Sequence, residues 1–164
     1  MIPVISIVGF SNSGKTTLIV KILKEIKLRG YRVAIIKHHH GDFDIDEKGK
    51  DSWHHSQAGA DTVIVSSPNK FAMVSNLEEE KELDDLIKLI GDVDLIITEG
   101  YKKLNKPKIA VFRTELCEHD SILELENLIA VASDTYIKHK VPCFDLEDIE
   151  GLVNLIEKKF LKNK

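Results

Sequence analysis

Pro3-Val4-Ile5-Ser6-Ile7-Val8 runs without a break into Gly9-Phe10-Ser11-Asn12-Ser13-Gly14-Lys15-Thr16-Thr17. A β-branched apolar run thus opens into a complete GxxxxGK[ST] loop. A helix follows, because Leu18, Ile19, Ile22, Leu23 and Ile26 recur at helical spacing until Gly30. Each part has a physical task. Gly9 and Gly14 permit backbone angles that let the loop wrap an anion with its N–H groups inward. The helix start adds free amides and the positive end of the dipole. Lys15 carries an ammonium to the outer phosphates, and Thr16 offers a hydroxyl to Mg2+. With Ser11, Asn12, Ser13 and Thr17 completing the cradle, the stretch predicts a nucleoside triphosphate site.

The rest of the chain fits around that unit. Arg32 to Lys37 reads as a buried strand ending in His38-His39-His40, and a short helix is expected from Ser52 to Ala58. Thr62–Ser67 and Phe71–Ser75 flank Pro68-Asn69-Lys70, which marks an antiparallel hairpin. Leu83, Leu86, Ile87 and Ile90 mark an amphipathic helix that ends near Gly91, with Glu78, Glu79 and Glu80 as its acidic start. Further strands are expected at Val93–Thr98, Lys108–Phe112, Leu128–Ala132 and around Cys143 and Phe144. A final helix then carries Ile149, Leu152, Val153, Ile156 and Phe160 on one face. This alternation predicts a three-layer α/β/α sandwich of the P-loop NTPase type, mainly parallel, with one antiparallel hairpin. In such sheets ligands sit beyond the carboxyl ends of the strands, so residues just after Val8, Lys37, Thr98 and Ala132 should gather around one site.

With 164 residues and a net charge of −4, the chain is expected to form a single nucleotide-binding domain, 1–164, that does not bind nucleic acid nonspecifically. No run reaches the ~18 apolar residues of a membrane span, and the N-terminal run lacks a basic leader. Cys117 and Cys143 have no CxxC spacing and read as reduced packing residues of a cytoplasmic protein.

A second constellation lies in Asp94-Leu95-Ile96-Ile97-Thr98-Glu99-Gly100. Phosphoryl chemistry calls for a carboxylate at the end of a strand beside the phosphate loop, where it helps hold Mg2+. Glu99 has that place, whereas Asp94 lies at the other end of the strand, about 15 Å away at ~3.3 Å per residue. Lys15, Thr16 and Glu99 are therefore the expected catalytic and metal-binding core. Five of the seven histidines fall between His38 and His55, in a polar segment that also holds Lys37, Asp44, Lys50 and Asp51. Either a polar switch loop or a substrate-contacting, Mg2+-coupled loop fits this composition. In the second case Lys37 and Lys50 meet anionic groups, and Asp44 or Asp51 positions water or metal.

Taken together, Gly14-Lys15-Thr16-Thr17-Leu18, Lys37-His38, Asp42-Phe43-Asp44, Gly49-Lys50-Asp51-Ser52, His55, Ala58-Gly59-Ala60 and Thr98-Glu99-Gly100-Tyr101-Lys102 resemble the molybdopterin-guanine dinucleotide biosynthesis protein B family over nearly the whole chain. The resemblance implies a cytoplasmic, GTP-binding and weakly GTP-hydrolysing accessory protein that assists attachment of GMP to molybdopterin beside the molybdenum cofactor guanylyltransferase. It also implies a homodimer, and the hairpin from Thr62 to Ser75 is a reasonable interface element because an isolated two-stranded ribbon is marginal on its own. Residue by residue, Ser11 to Thr17 would hold GTP, Thr16 and Glu99 the Mg2+, and Lys50 and Asp51 the loop facing the pterin or the partner.

The usual guanine reader, NKxD, is not satisfied by Asn105-Lys106-Pro107-Lys108. A carboxylate is wanted there because guanine presents two adjacent N–H donors. Asp134 can serve as that acceptor or as a turn-capping acid. Two other classes remain: a metal-delivery GTPase using the histidine-rich loop, and a P-loop small-molecule kinase. No water-orienting glutamine or arginine finger is identifiable in the sequence, so slow hydrolysis is expected.

Overall fold

The computed structural model describes residues 1–116 and 120–161, so the packing role expected of Cys117 lies outside the described residues. In chain order the elements are β1 (Val4–Gly9), α1 (Lys15–Leu28), β2 (Val33–Lys37), α2 (Asp51–Gln57), β3 (Thr62–Ser67), β4 (Lys70–Ser75) and α3 (Leu83–Lys88). They continue with β5 (Leu95–Glu99), β6 (Lys108–Phe112), β7 (Leu128–Ser133), β8 (Cys143–Asp145) and α4 (Ile149–Ile156). Two compact units result, one of residues 1–38 and 89–164, the other of residues 39–88.

The first unit is built on a six-stranded sheet of order β2-β5-β1-β6-β7-β8, with every described pairing parallel. Strands buried on both faces need apolar side chains on both, and β5 and β6 are buried at every position. Alternation sends successive residues to opposite faces. Ile5, Ile7, Ile97, Ile109, Val111 and Ala132 join the buried stripe of α1 (Leu18, Ile19, Ile22, Ile26) and that of α4 (Leu152, Val153, Ile156) in one core. Val8, Ala110, Phe112 and Val131 form the other core with Ile122. Within this unit, irregular chain and the 3-10 turn Asp120–Ile122 pack on that second face.

The polar ties of this unit join its helices to each other and close the sheet's lower edge. Arg29 bridges Glu25 on α1 and Glu157 beyond α4 at 2.8 Å each, and the Tyr31 hydroxyl donates to Glu157 at 2.8 Å. Asp148 caps α4 by accepting from the Gly151 N–H at 3.0 Å. After Ile156 the helix widens into a π-helical turn, Glu157–Leu161. Leu161 is buried, and Phe160, expected on the apolar face, is half-buried and packed against the same core. At the start of β6, Lys108 is buried and donates to the carbonyls of Leu104 (2.7 Å), Lys106 (3.2 Å) and Glu126 (3.0 Å).

In the second unit, β3 and β4 form the expected antiparallel hairpin, with Ile64 opposite Met73 and Ser66 opposite Phe71. Ile64, Phe71 and Met73 share one face of this ribbon and are exposed. α3 is shorter than its apolar periodicity predicts: it starts at Leu83, leaving Glu78, Glu79 and Glu80 outside, and stops before Leu89.

Candidate nucleotide-binding site

The loop between β1 and α1 is shaped by two glycines for two different reasons. At Gly9 the constraint is space, since a Cβ there would lie 2.7 Å from Ser13 Oγ and 2.8 Å from the Val111 carbonyl oxygen. At Gly14 it is conformation, with φ +92° at the helix N-cap. Because Gly14 has no side chain, no side-chain cap closes α1. The first-turn amides of Lys15, Thr16 and Thr17 are thus left for an incoming anion.

The polar side chains around this opening converge. The Lys15 ammonium folds back over the loop and donates to the carbonyls of Phe10 (2.7 Å) and Gly9 (3.3 Å). Burial lowers its pKa from the ordinary lysine value, Glu99 opposes that shift, and the neighbouring Lys37 ammonium reinforces it. Thr16 Oγ1 donates to Glu99 Oε1 at 2.9 Å, and Lys37 Nζ lies 3.6 Å from the same oxygen. Sheet register produces this meeting: Glu99, the last residue of β5, is level with Lys37 on β2 and with Ile7 on β1, just below the loop. Glu99 is buried while Lys37 is exposed. A hydroxyl and a buried carboxylate with oxygen donors side by side form the hard donor set that Mg2+ takes, and the loop amides with Lys15 match a polyphosphate. The residues present therefore fit both groups.

At this point the chain can be set beside known proteins. The family model described as "Molybdopterin guanine dinucleotide synthesis protein B", MobB, matches residues 4–134. The chain belongs to the MobB family. The molybdopterin-guanine dinucleotide biosynthesis adapter protein of Escherichia coli is 37% identical over 95% of this chain and 92% of its own length. The corresponding adapter protein of Haemophilus influenzae is 33% identical over 95% and 88%. Among solved structures, Bacillus subtilis MobB superposes with a TM-score of 0.80 at 28% identity, covering 96% of this chain and 98% of that one. A MobB protein homolog from Bacillus stearothermophilus gives 0.76 at 26% identity, covering 98% and 99%. The P-loop α/β fold is thus the MobB fold, and the matched segment runs from β1 to Asp134.

The remaining predicted residues of this MobB chain distribute as follows. Ser11, Asn12 and Thr17 are exposed on the loop and first helical turn, Asn12 in the left-handed region at φ 61°. The Ser13 hydroxyl is buried with no hydrogen-bond partner among the described residues. Asp134, at the end of β7, accepts from both the N–H and the Oγ1 of Thr114 through Oδ1, at 3.2 Å each, which leaves Oδ2 for another donor. Asp44, Lys50 and Asp51 belong to the second unit. There Asp44 is exposed, Lys50 is the N-cap of α2 with its ammonium 3.6 Å from Glu47, and Asp51 starts α2. Of the histidines, His38 packs its ring on Tyr101 at 4.8 Å and His39 meets Phe43 edge-on at 6.4 Å. No group of three or more His, Cys, Asp or Glu side chains among the described residues is placed to share a metal. Sequence reading missed Arg113, whose Nε donates to the Ser13 carbonyl at 3.0 Å across the outside of the loop.

Proposed function

We propose that this chain is a GTP-binding, slowly GTP-hydrolysing adapter in molybdopterin guanine dinucleotide biosynthesis. The observation that carries the reading is the convergence of an uncapped helix start, the Lys15 ammonium and the Thr16–Glu99 pair at one loop. Membership of a family whose curated relatives are named as adapters in that pathway supports the biological assignment.

In this reading the amides of Gly14 to Thr17, the Ser13 hydroxyl and the Lys15 ammonium hold the phosphates, while Ser11 and Asn12 line the rim. Thr16 and Glu99 hold Mg2+, which when bound neutralises charge developing on the transferred phosphoryl group. Lys37 offsets negative charge beside Glu99, and the free Oδ2 of Asp134 accepts from the guanine edge. Asp44, Lys50 and Asp51 belong to the loop that meets molybdopterin or the guanylyltransferase. Gating by a slow hydrolysis step suits an adapter better than rapid turnover. The exposed apolar ribbon face of Ile64, Phe71 and Met73 serves a homodimer, since a two-stranded ribbon is marginal alone.

Calorimetric titration with GTP and with ATP, each with and without Mg2+, tests the reading. Tighter binding of GTP than of ATP, strengthened by Mg2+, is expected. Equal affinity for both nucleotides removes the guanine assignment, and no binding of either removes the site.

A further inference from the structure

We propose that Arg113 is a positioning residue that orients the Ser13–Gly14 peptide so that the Gly14 N–H faces the bound phosphates. The inference rests on the nucleotide reading of the loop and adds a residue to it from outside the motif. Arg113 follows directly on β6, whose Val111 is in register with Gly9 of β1, so its side chain emerges beside the loop. Its Nε donates to the Ser13 carbonyl at 3.0 Å. The guanidinium also flanks Gly14, where a Cβ would lie 3.5 and 3.6 Å from its nitrogens.

The consequence follows from peptide geometry. Across a trans peptide the carbonyl of one residue and the N–H of the next point in opposite directions, and no described peptide here is cis. Fixing the Ser13 carbonyl outward on Arg113 therefore turns the Gly14 N–H inward. Gly14 needs such a hold because it stands at φ +92° without a side chain and is the most easily rotated residue of the loop. The carbonyls of Gly9 and Phe10 face Lys15 instead, and the Ser13 N–H closes a turn onto the Phe10 carbonyl at 3.2 Å. Arg113 itself is held, because the next residue, Thr114, is tied twice to Asp134 at the end of β7.

The test measures GTP and GDP affinity by calorimetry, and the Gly14 amide proton shift by NMR, in the wild-type protein, Arg113→Ala and Arg113→Lys. In the wild type the Gly14 amide should move downfield on nucleotide binding. In Arg113→Ala both nucleotides should bind at least about tenfold more weakly with that shift lost, at an unchanged melting temperature of the nucleotide-free protein. Arg113→Lys keeps a donor and should restore part of both. Should Arg113→Ala fail to fold, Arg113→Lys decides alone: intermediate affinity with a reduced shift supports the role. Wild-type affinity and a wild-type Gly14 shift in either folded variant overturn it. If the wild-type protein itself binds neither GTP nor GDP, the nucleotide reading fails, and this inference falls with it.

Discussion

Thr16 and Glu99, on different elements, share a 2.9 Å hydrogen bond from hydroxyl to carboxylate at the mouth of the phosphate loop. The donor stands on the first turn of α1 and the acceptor on the last residue of β5. Under the proposed function, Mg2+ is held by these two oxygens. Glu99→Gln keeps the shape and removes the charge, so it should bind GTP in EDTA as the wild type does while losing the gain that Mg2+ brings. Hydrolysis should fall with it. Mg2+-dependent turnover at the wild-type rate in that variant would place the metal elsewhere.

Lys15 gives a dependence on pH. Its pKa in the nucleotide-free protein is lowered by burial, with Glu99 opposing and Lys37 reinforcing the shift, and phosphate bound beside the ammonium should raise it. Affinity should be level at lower pH and decline as pH rises through the lowered value. In that window binding takes up a proton, which calorimetry in two buffers of different ionisation enthalpy detects. Lys15→Ala should lose about 1.5 to 3 kcal/mol of binding and abolish the proton uptake.

Gly9→Ala should damage the loop through crowding. The added Cβ would lie 2.8 Å from the Val111 carbonyl oxygen, a backbone atom held in the β1–β6 ladder. An overpacking cost of about 1 to 3 kcal/mol is expected, lowering the melting temperature by several degrees and weakening nucleotide binding together. Thermal melting beside a GTP titration checks both effects.

Lys108→Met should destabilise the protein without touching nucleotide affinity. Three carbonyls would lose the ammonium at once, with the Leu104 carbonyl keeping the Lys106 N–H at 2.9 Å, and a buried group left unsatisfied costs about 1 to 3 kcal/mol. Chemical denaturation reads the loss, and a GTP titration of the folded variant should match the wild type.

The hairpin supplies a prediction about assembly. Ile64→Asp with Phe71→Asp places charge on the exposed apolar face of the ribbon. Under the proposed homodimer, the wild type should sediment as a dimer and the double variant as a monomer. A dimer that survives these changes would be held through another surface.

Much of the fold was legible because its signals are local. The β1-loop-α1 unit, the hairpin and the central strands each announce themselves within about ten residues through periodicity and turn chemistry. Glu99 could be picked out because a strand end beside a phosphate loop restricts where a carboxylate can go. Arg113 could not, because its meeting with Ser13 depends on β6 lying next to β1, a pairing no local pattern states. By sequence Asp134 suits either a base reader or a capping acid, and its two bonds from Thr114 depend likewise on the β6–β7 register.

The place of β1 between β5 and β6 also sets a timetable for the growing chain. During synthesis β1 finds both of its ladder partners only after Leu95 to Phe112 have followed it. Until then the edge of β1 that pairs with β6 stays open, and Arg113 is not yet beside the loop. A nascent protein cut short before β6 would therefore display the whole phosphate-loop motif while lacking the Arg113 contact to the Ser13 carbonyl.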